Sequence, residues 1–283
     1  MIVGLDHVVI LVRDIEAGAA AYAALLGRKP AWRSADEGSE SVLFTLANMS
    51  AELLAPAGSG IAADRIRAVL EQDGEGLASL CFRVDDIAGL RRRMDRLGLR
   101  PEGIADGDSR DAATGRTLRW TRTRAATDAT FGVRLFFLEM AGARPGSDAI
   151  ADAPVTSLDH VVVETAEPDR AAALYGARLG LDMRLDRSHP DWGRLMFFRC
   201  GDLIVETVCR AGKRIDPQRD RLWGLSWRVD DIEAARTRML AAGIDVSEAR
   251  KGRKPGTMVA TIRDGTCGVP TLLLQPAPQR APS

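Results

Sequence analysis

The chain has 283 residues, of which 46% are hydrophobic and 28% charged, a composition typical of a globular protein with a full apolar core. That length exceeds one ordinary compact domain and favours two domains of roughly 140 residues each. Thirty-nine basic residues balance 39 acidic ones, so nothing in the charge indicates a nucleic acid or an acidic membrane as partner.

The cysteines and the N-terminus indicate a reduced, cytoplasmic protein. The four cysteines form no CxxC pair. The N-terminus enters a strand-like run at once, without the basic and apolar regions of a secretory signal. No apolar run reaches the length of a transmembrane helix. We therefore expect no membrane partner.

The first predicted unit is a strand, a helix and three more strands. LDHVVILV, from Leu5, is rich in β-branched residues and predicts a strand. Asp14 is placed to cap an alanine-rich helix that ends at Gly27. The three further strand candidates are KPAWRS, SVLFTLAN and MSAELLAP. A connection with a short helix (58–76) then leads to the next unit.

The second half of the chain repeats this pattern. LDHVVVET, from Leu158, repeats the first strand, and Pro168 suits the first turn of the helix that follows it. A different pair of segments, 77–99 and 223–244, also match each other, each a strand followed by a helix that begins at Asp-Asp-Ile. The chain therefore reads as four β-α-β-β-β units in the order A-B-A′-B′.

The boundaries follow from these repeats and from a Pro- and Gly-bearing stretch between them. We predict a first domain at 1–142, a linker at 143–154, a second domain at 155–277 and a frayed tail at 278–283.

Paired units of this kind, with His in the first strand, Glu in the fourth and a V-D-D-I helix start, resemble the vicinal oxygen chelate superfamily, in its glyoxalase-like branch. The resemblance covers nearly the whole chain. It implies an α+β fold of two tandem domains, each built from two βαβββ units that close a curved sheet around a cavity. It also implies a small-molecule ligand, and in metal-dependent members a divalent ion in the cavity.

The ligand positions of such a metal site are only half filled. The A units supply His7 and Glu52 in the first domain and His160 and Glu206 in the second. The B-unit positions are occupied by residues of other chemistry: Ser79 and Phe136 in the first domain, Gly224 and Leu272 in the second.

Three interpretations of the His-Glu pairs stay open. A catalytic site for Zn²⁺, Fe²⁺, Ni²⁺ or Mn²⁺ usually has three protein ligands, so one pair would hold a metal weakly or with the substrate's help. The pair could instead act as acid and base without a metal. In the third interpretation the histidine only satisfies a hydrogen bond inside an apolar pocket.

Other candidates favour the second domain. His189 could assist as an acid or base at the cavity mouth, or be a plain loop histidine. Trp192 and Trp227 could line the cavity or pack in the core. Lys254, in a turn with three cations, could bind an anionic group of the ligand or face solvent.

The sequence therefore indicates two candidate functions, of which the first is preferred. The first is a glyoxalase- or dioxygenase-like enzyme, such as a lyase or isomerase, in which His160, Glu206 and His189 act on a small oxygenated molecule. The second is a metal-free protein that binds or sequesters small molecules, as bleomycin resistance proteins do. In either case we expect a monomer or homodimer.

Overall fold

The computed structural model describes residues 1–212 and 215–278. It contains two sheets of eight strands each, and each sheet is formed by one half of the chain. The predicted α+β architecture of two tandem domains is confirmed. Apart from residue 278, the predicted tail lies outside the described residues.

The first sheet has the strand order β2-β3-β4-β1-β5-β8-β7-β6. β1 and β5, the first strands of the two units, pair antiparallel at its centre. Each also pairs in parallel with the last strand of its own unit. The strands are β1 Ile2–Leu11, β2 Trp32–Asp36, β3 Ser39–Thr45, β4 Ser50–Pro56, β5 Gly76–Val84, β6 Ala105–Arg110, β7 Thr117–Arg124 and β8 Arg134–Met140.

The second sheet repeats this topology in the order β10-β11-β12-β9-β13-β16-β15-β14. Its centre is the antiparallel pair β9 and β13. The strands are β9 Ser157–Glu164, β10 Asp182–His189, β11 Gly193–Cys200, β12 Leu203–Cys209, β13 Arg221–Arg228, β14 Arg250–Lys251, β15 Met258–Ile262 and β16 Thr271–Gln275.

The helices begin where the sequence places capping residues. Asp14 accepts hydrogen bonds from the backbone N–H groups of Glu16 and Ala17, at 2.9 and 3.0 Å. Gly27 ends that helix with φ 64°, a left-handed conformation that glycine adopts without strain. The helices are α1 Ile15–Leu26, α2 Ile61–Asp73, α3 Ile87–Arg96, α4 Pro168–Ala172 and α5 Ile232–Ala241. Pro168 lies in the first turn of α4, which continues as a π-helical segment, Ala173–Arg178.

One apolar core is shared by both domains, since a single cluster of buried residues includes the helix-covered sides of both sheets. Polar contacts join the halves as well. The side-chain amide of Asn48 donates to the carbonyl of Leu158 and accepts from its N–H, at 2.8 and 3.0 Å. The guanidinium of Arg238 donates to the carbonyls of Ala24 and Leu25 at the end of α1. Among the described residues, no helix has the length and apolarity needed to cross a membrane.

The two sheets differ at their edges. In the first domain β2 meets β6: the indole Nε1 of Trp32 donates to Ser109 Oγ at 2.9 Å, and the N–H of Ala112 donates to the carbonyl of Arg33 at 2.8 Å. The apolar residues inside this closure pack together, namely Trp32, Leu43, Leu118, Trp120 and Met140. In the second domain, seven of the eight residues of β10 are exposed. The second sheet is therefore accessible along an edge that the first sheet covers.

Candidate functional site

A β-bulge places an aspartate beside the histidine in each domain. Neighbouring residues of a regular strand point to opposite faces. In β9, however, Leu158 pairs with Trp227 and His160 pairs with Ser226, which leaves Asp159 as an extra residue. Such a bulge turns a side chain out of the regular alternation. Asp159 therefore reaches the ring of His160, its neighbour in sequence.

In the second domain three side chains contact His160. The Nδ1 atom lies 2.8 Å from Asp159 Oδ2. The Nε2 atom lies 2.8 Å from Ser226 Oγ and 3.3 Å from Glu206 Oε2. The side chains of His160 and Glu206 are 18% and 13% exposed, so a small molecule has limited but real access to them.

The two carboxylates on His160 have opposite electrostatic properties. Burial works against the charge of Asp159, but its hydrogen bond to His160 and the guanidinium of Arg228 outweigh burial and lower its pKa to about 2. Burial raises the pKa of Glu206 above its usual range, and the charges of His160, Arg253 and Arg210 offset this only in part. Asp159 is thus the carboxylate that orients the ring, whereas burial makes the charged form of Glu206 less favourable.

The first domain has the same arrangement with a thiol in place of the hydroxyl. His7 Nδ1 lies 2.7 Å from Asp6 Oδ1, and Nε2 lies 3.3 Å from Glu52 Oε2. Cys81 is its cross-strand partner. Burial opposes charge on the ring, but Cys81, Asp6 and Glu52 together hold the pKa of His7 above its usual range. Arg144 Nε donates to Asp6 Oδ1 at 2.9 Å, and the two side chains form a largely buried ion pair.

The remaining ligand positions carry no metal donor of the usual kind. In the second domain Gly224 pairs with Val162, and Leu272 pairs with Ser226. In the first, Ser79 pairs with Val9, and Phe136 pairs with Cys81. Within residues 1–212 and 215–278, no group of three His, Cys, Asp or Glu residues is arranged to hold a metal ion. Two donors per domain do not fit a three-ligand catalytic cage.

Glu139, close in sequence to the fourth position, serves another purpose. Its Oε2 accepts a hydrogen bond from the N–H of Ile87 at the start of α3, at 2.9 Å. Gln275 does the same for Ile232 at the start of α5, at 2.9 Å. Both side chains therefore point to the helix-covered side of the sheet, as the alternation of β8 predicts for Glu139.

Aromatic and cationic side chains form an aromatic rim beside the apolar cluster of Val162, Leu195 and Val208 in the second domain. The rings of His189 and Trp192 stack with centroids 4.4 Å apart. The guanidinium of Arg253 lies over the ring of Trp192 at 4.7 Å. Arg210 lies over the ring of Trp223 at 4.2 Å. His189 thus belongs to the rim of the cavity with Trp192 and stacks there rather than on His160.

Two predicted ligand-binding residues lie elsewhere. Trp227 is fully buried in the shared core, because it falls on the opposite face of β13 from Ser226. Lys254 is exposed, and its carbonyl accepts from Thr257 Oγ1 at 2.6 Å. Arg253, the residue before Lys254, is the cation of this turn that reaches the aromatic rim.

One cleft lies apart from both His-Glu pairs. A space of about 690 Å³ lies between the domains at the starts of β5 and β13, bordered by Glu75, Arg134, Arg219 and Trp223. A depression of about 480 Å³ lies at His189. Neither includes His160 or Glu206. We locate the candidate site at these two residues because the hydrogen-bonded, titratable groups converge there.

Sequence reasoning missed several members of the site. Asp159 had a visible signal, since an aspartate precedes the histidine in both copies of the repeat. Ser226 had none, because a bulge sets the register that brings it to His160. For Arg210 and Arg253, the only signal in the sequence was their position in basic stretches.

Comparison with known proteins agrees with this architecture. Residues 5–175 match the glyoxalase-like domain. Residues 159–261 match the glyoxalase/bleomycin resistance protein/dioxygenase superfamily. An ethylmalonyl-CoA/methylmalonyl-CoA epimerase of Cereibacter sphaeroides is 36% identical over 109 residues, which are 38% of this chain and 79% of the epimerase.

Solved structures share the whole fold at low identity. A mutant of 4-hydroxymandelate synthase from Streptomyces coelicolor has a TM-score of 0.70 and 15% identity, covering 97% of this chain and 93% of its own. A Mn(II)-bound glyoxalase from Novosphingobium aromaticivorans has a TM-score of 0.63 and 15% identity, covering 97% of this chain and 82% of its own. These likenesses establish the two-domain architecture.

Proposed function

The chain belongs to the glyoxalase-like family of the vicinal oxygen chelate superfamily, and we propose that its second domain catalyses proton transfer at a carbon atom next to a carbonyl group. The observation that carries the proposal is the contact of 3.3 Å between His160 Nε2 and Glu206 Oε2. The substrate is a small oxygenated molecule.

The geometry gives each residue a role in such a step. Asp159 fixes the ring of His160 and favours a proton on Nδ1, which leaves Nε2 free to accept one. Burial raises the pKa of Glu206, and a higher pKa makes its carboxylate a stronger base. Ser226 holds Nε2 in place when the substrate is absent.

The choice of the second domain rests on the carboxyl group. Burial raises the pKa of Glu206, and Ser226 Oγ lies 2.8 Å from His160 Nε2. The outer strand β10 of this domain is also exposed, whereas β2 of the first domain is joined to β6. The relative from Cereibacter sphaeroides also supports proton transfer, because an epimerase inverts a carbon centre.

Deuterium exchange from D₂O, followed by proton NMR, tests the proposal. The probes are methylmalonyl-CoA, ethylmalonyl-CoA and pyruvate, each with a proton next to a carbonyl. We expect catalysed exchange of at least one probe, and a loss of about 100-fold or more in kcat for Glu206→Gln, the usual scale for a general acid or base. Glu52→Gln, the same change in the first domain, is the matched control and should keep most of the rate.

Two outcomes would contradict the proposal. One is an unchanged rate in Glu206→Gln, which would place the chemistry elsewhere. The other is binding of the probes without exchange in the wild-type protein. That result would support the sequestering function, which the missing B-unit donors favour.

Metal-assisted chemistry is the second candidate, and the Mn(II)-bound glyoxalase among the structural neighbours favours it. His160 and Glu206 would supply only two donors to Zn²⁺, Fe²⁺, Ni²⁺ or Mn²⁺, so oxygen atoms of the substrate would have to complete the coordination. Elemental analysis of protein purified without chelator tests this candidate. Stoichiometric metal that is lost in His160→Ala supports it, and no metal in the presence of substrate rejects it.

A further inference from the structure

We propose that the second-domain site selects a substrate with an oxyanion group, a carboxylate or a phosphate, on a flat apolar body, and that Arg253 binds this anion. The inference rests on the proposed function, in that it names the substrate class of the same site. It is carried by the position of one guanidinium on the aromatic rim.

Arg253 stacks on an aromatic ring and, among residues 1–212 and 215–278, donates no hydrogen bond. Its guanidinium lies over the ring of Trp192, 4.7 Å from the centroid. Stacking of this kind occupies the face of the guanidinium and leaves its N–H groups, which lie in the plane, available. Two parallel N–H groups match the spacing of carboxylate or phosphate oxygens.

Three arginines on or beside the central strands of the second sheet have anionic partners. Arg228 donates to Asp159 at 2.6 Å. Arg210 and Arg221 both donate to the fully buried carboxylate of Glu164, at 2.7 and 2.8 Å. For Arg253, no carboxylate of residues 1–212 and 215–278 lies within 4.0 Å. It is thus a stacked cation without a counter-charge.

The carboxylate of Glu206 contacts His160 Nε2 at 3.3 Å and, among the described residues, forms no ion pair with Arg253. An anionic group of the substrate would therefore meet Arg253 without a competing carboxylate. The rest of the molecule would lie between Arg253 and Glu206.

The surroundings of Arg253 suit a flat, apolar body. Val162, Leu195 and Val208 form a small cluster with Trp192, Phe197 and Trp223 packed against it. Val162 is the cross-strand partner of Glu206, so this apolar surface continues to the proposed catalytic carboxyl. A planar molecule could lie on it with its anionic end at the rim.

The corresponding hairpin of the first domain is built differently. There Asp111 follows β6, is buried and accepts from the N–H of Arg33 at 3.0 Å. That contact closes the first sheet, whereas the hairpin between β14 and β15 places Arg253 over the ring of Trp192. The contrast within one chain supports a ligand-binding role for Arg253.

Isothermal titration calorimetry with benzoate, phenyl phosphate and benzamide tests the inference. The three probes share a flat ring, and only the first two are anions. We expect at least one anion to bind about tenfold more tightly than benzamide, and Arg253→Gln to remove that difference while benzamide binding stays the same. The tighter of the two anions tells whether the group is a carboxylate or a phosphate.

Lys251→Gln provides the matched control. Lys251 lies on β14, two positions before Arg253, and pairs with Met258, which packs against the shared core. The same charge is lost from the same hairpin, and we expect anion binding to stay unchanged. An equal loss in both variants would show a general field effect and overturn the role of Arg253.

The inference is wrong if benzoate and phenyl phosphate bind no better than benzamide, or if none of the three binds. Its failure can be told from failure of the proposed function. Loss of anion preference with intact deuterium exchange rejects the role of Arg253 alone. Anion preference without exchange keeps the binding site and rejects the proton-transfer chemistry.

Discussion

At the scale of single residues, the candidate site depends on what holds each side of one imidazole. In the second domain Asp159 fixes Nδ1 of His160, and Ser226 and Glu206 meet at Nε2. A carboxylate on one nitrogen determines which tautomer the other nitrogen presents. The orienting aspartate therefore matters to the chemistry as much as the histidine.

Asp159→Asn should change the acid limb of the stability profile. The pKa of Asp159 is lowered from 3.8 to about 2 in the folded state. Its contribution to the free energy of unfolding is therefore present above pH 3.8 and lost as the pH falls through about 2, and it amounts to about 2 kcal/mol. Urea unfolding at several pH values between 2 and 6 measures it.

The asparagine variant should show a shallower loss of stability in that window than the wild-type protein. Asp202→Asn, a change in an exposed turn, is the control and should leave the slope unchanged. A variant slope equal to that of the wild type would mean that the ion pair with Arg228 and His160 does not favour the folded state.

The sequence predicted these residues only in part. The doubled LDH motif and the two strand-borne glutamates gave both His-Glu pairs, and the structure joins each pair at 3.3 Å. Ser226 and Cys81 were not found, since their contact depends on bulged register rather than on spacing. For Trp227 the sequence left the cavity and the core as alternatives, because a strand's two faces look alike when both are apolar, and the structure places it in the core.

At the scale of elements, the edge strands are the main difference between the two sheets. β2 and β6 meet in the first sheet through Trp32 and Ser109, and Asp111 adds an acceptor for the N–H of Arg33. Unpaired strand edges are usually covered in some way. In the second sheet the corresponding outer strand, β10, is left exposed, with Met183 at 40% and Leu185 at 37%.

Asp111→Ala should loosen the closure of the first domain. The carboxylate accepts from the N–H groups of Arg33 and Thr114, at 3.0 and 2.8 Å. Loss of these bonds should cost about 2 kcal/mol. Hydrogen–deuterium exchange should then become faster in β2 and β6. Asp106→Ala, on the exposed side of β6, is the control, and equal protection in both variants would contradict the role of Asp111.

At the scale of the whole molecule, the domains behave as one packed body. The shared core joins the helix-covered sides of the two sheets, and Arg238 of α5 satisfies carbonyl groups at the end of α1. A cation at that position also interacts favourably with the helix C-terminus. The two halves should therefore unfold together.

Arg238→Ala should weaken that coupling. We expect a loss of about 2 kcal/mol in the free energy of unfolding, because two charge-assisted hydrogen bonds are removed. Urea unfolding should show a lower midpoint and, if the halves separate, a second transition. Arg92→Ala, an exposed arginine on α3, is the control. An unchanged midpoint in Arg238→Ala would show that apolar contacts alone join the domains.

The four-unit organisation was predictable because the sequence repeats show each unit. Strands, helices and caps recur at matching places, so local pattern and overall topology agree. The boundaries at 142 and 155 stay a prediction, as do the oligomeric state and the location in the cell. The sharing of one core between the domains could not be read from the sequence, since buried residues look the same whichever domain they contact.

The bulges before His7 and His160 limit how the two halves could have diverged after duplication. Substitution is tolerated opposite the histidine, where one copy has Cys81 and the other Ser226. Loss of the single residue before it is a different matter, because a slip of one position turns every later side chain of the strand to the other face. In each copy, the side chains around the histidine could therefore change one at a time, while the length of the first strand stayed constant.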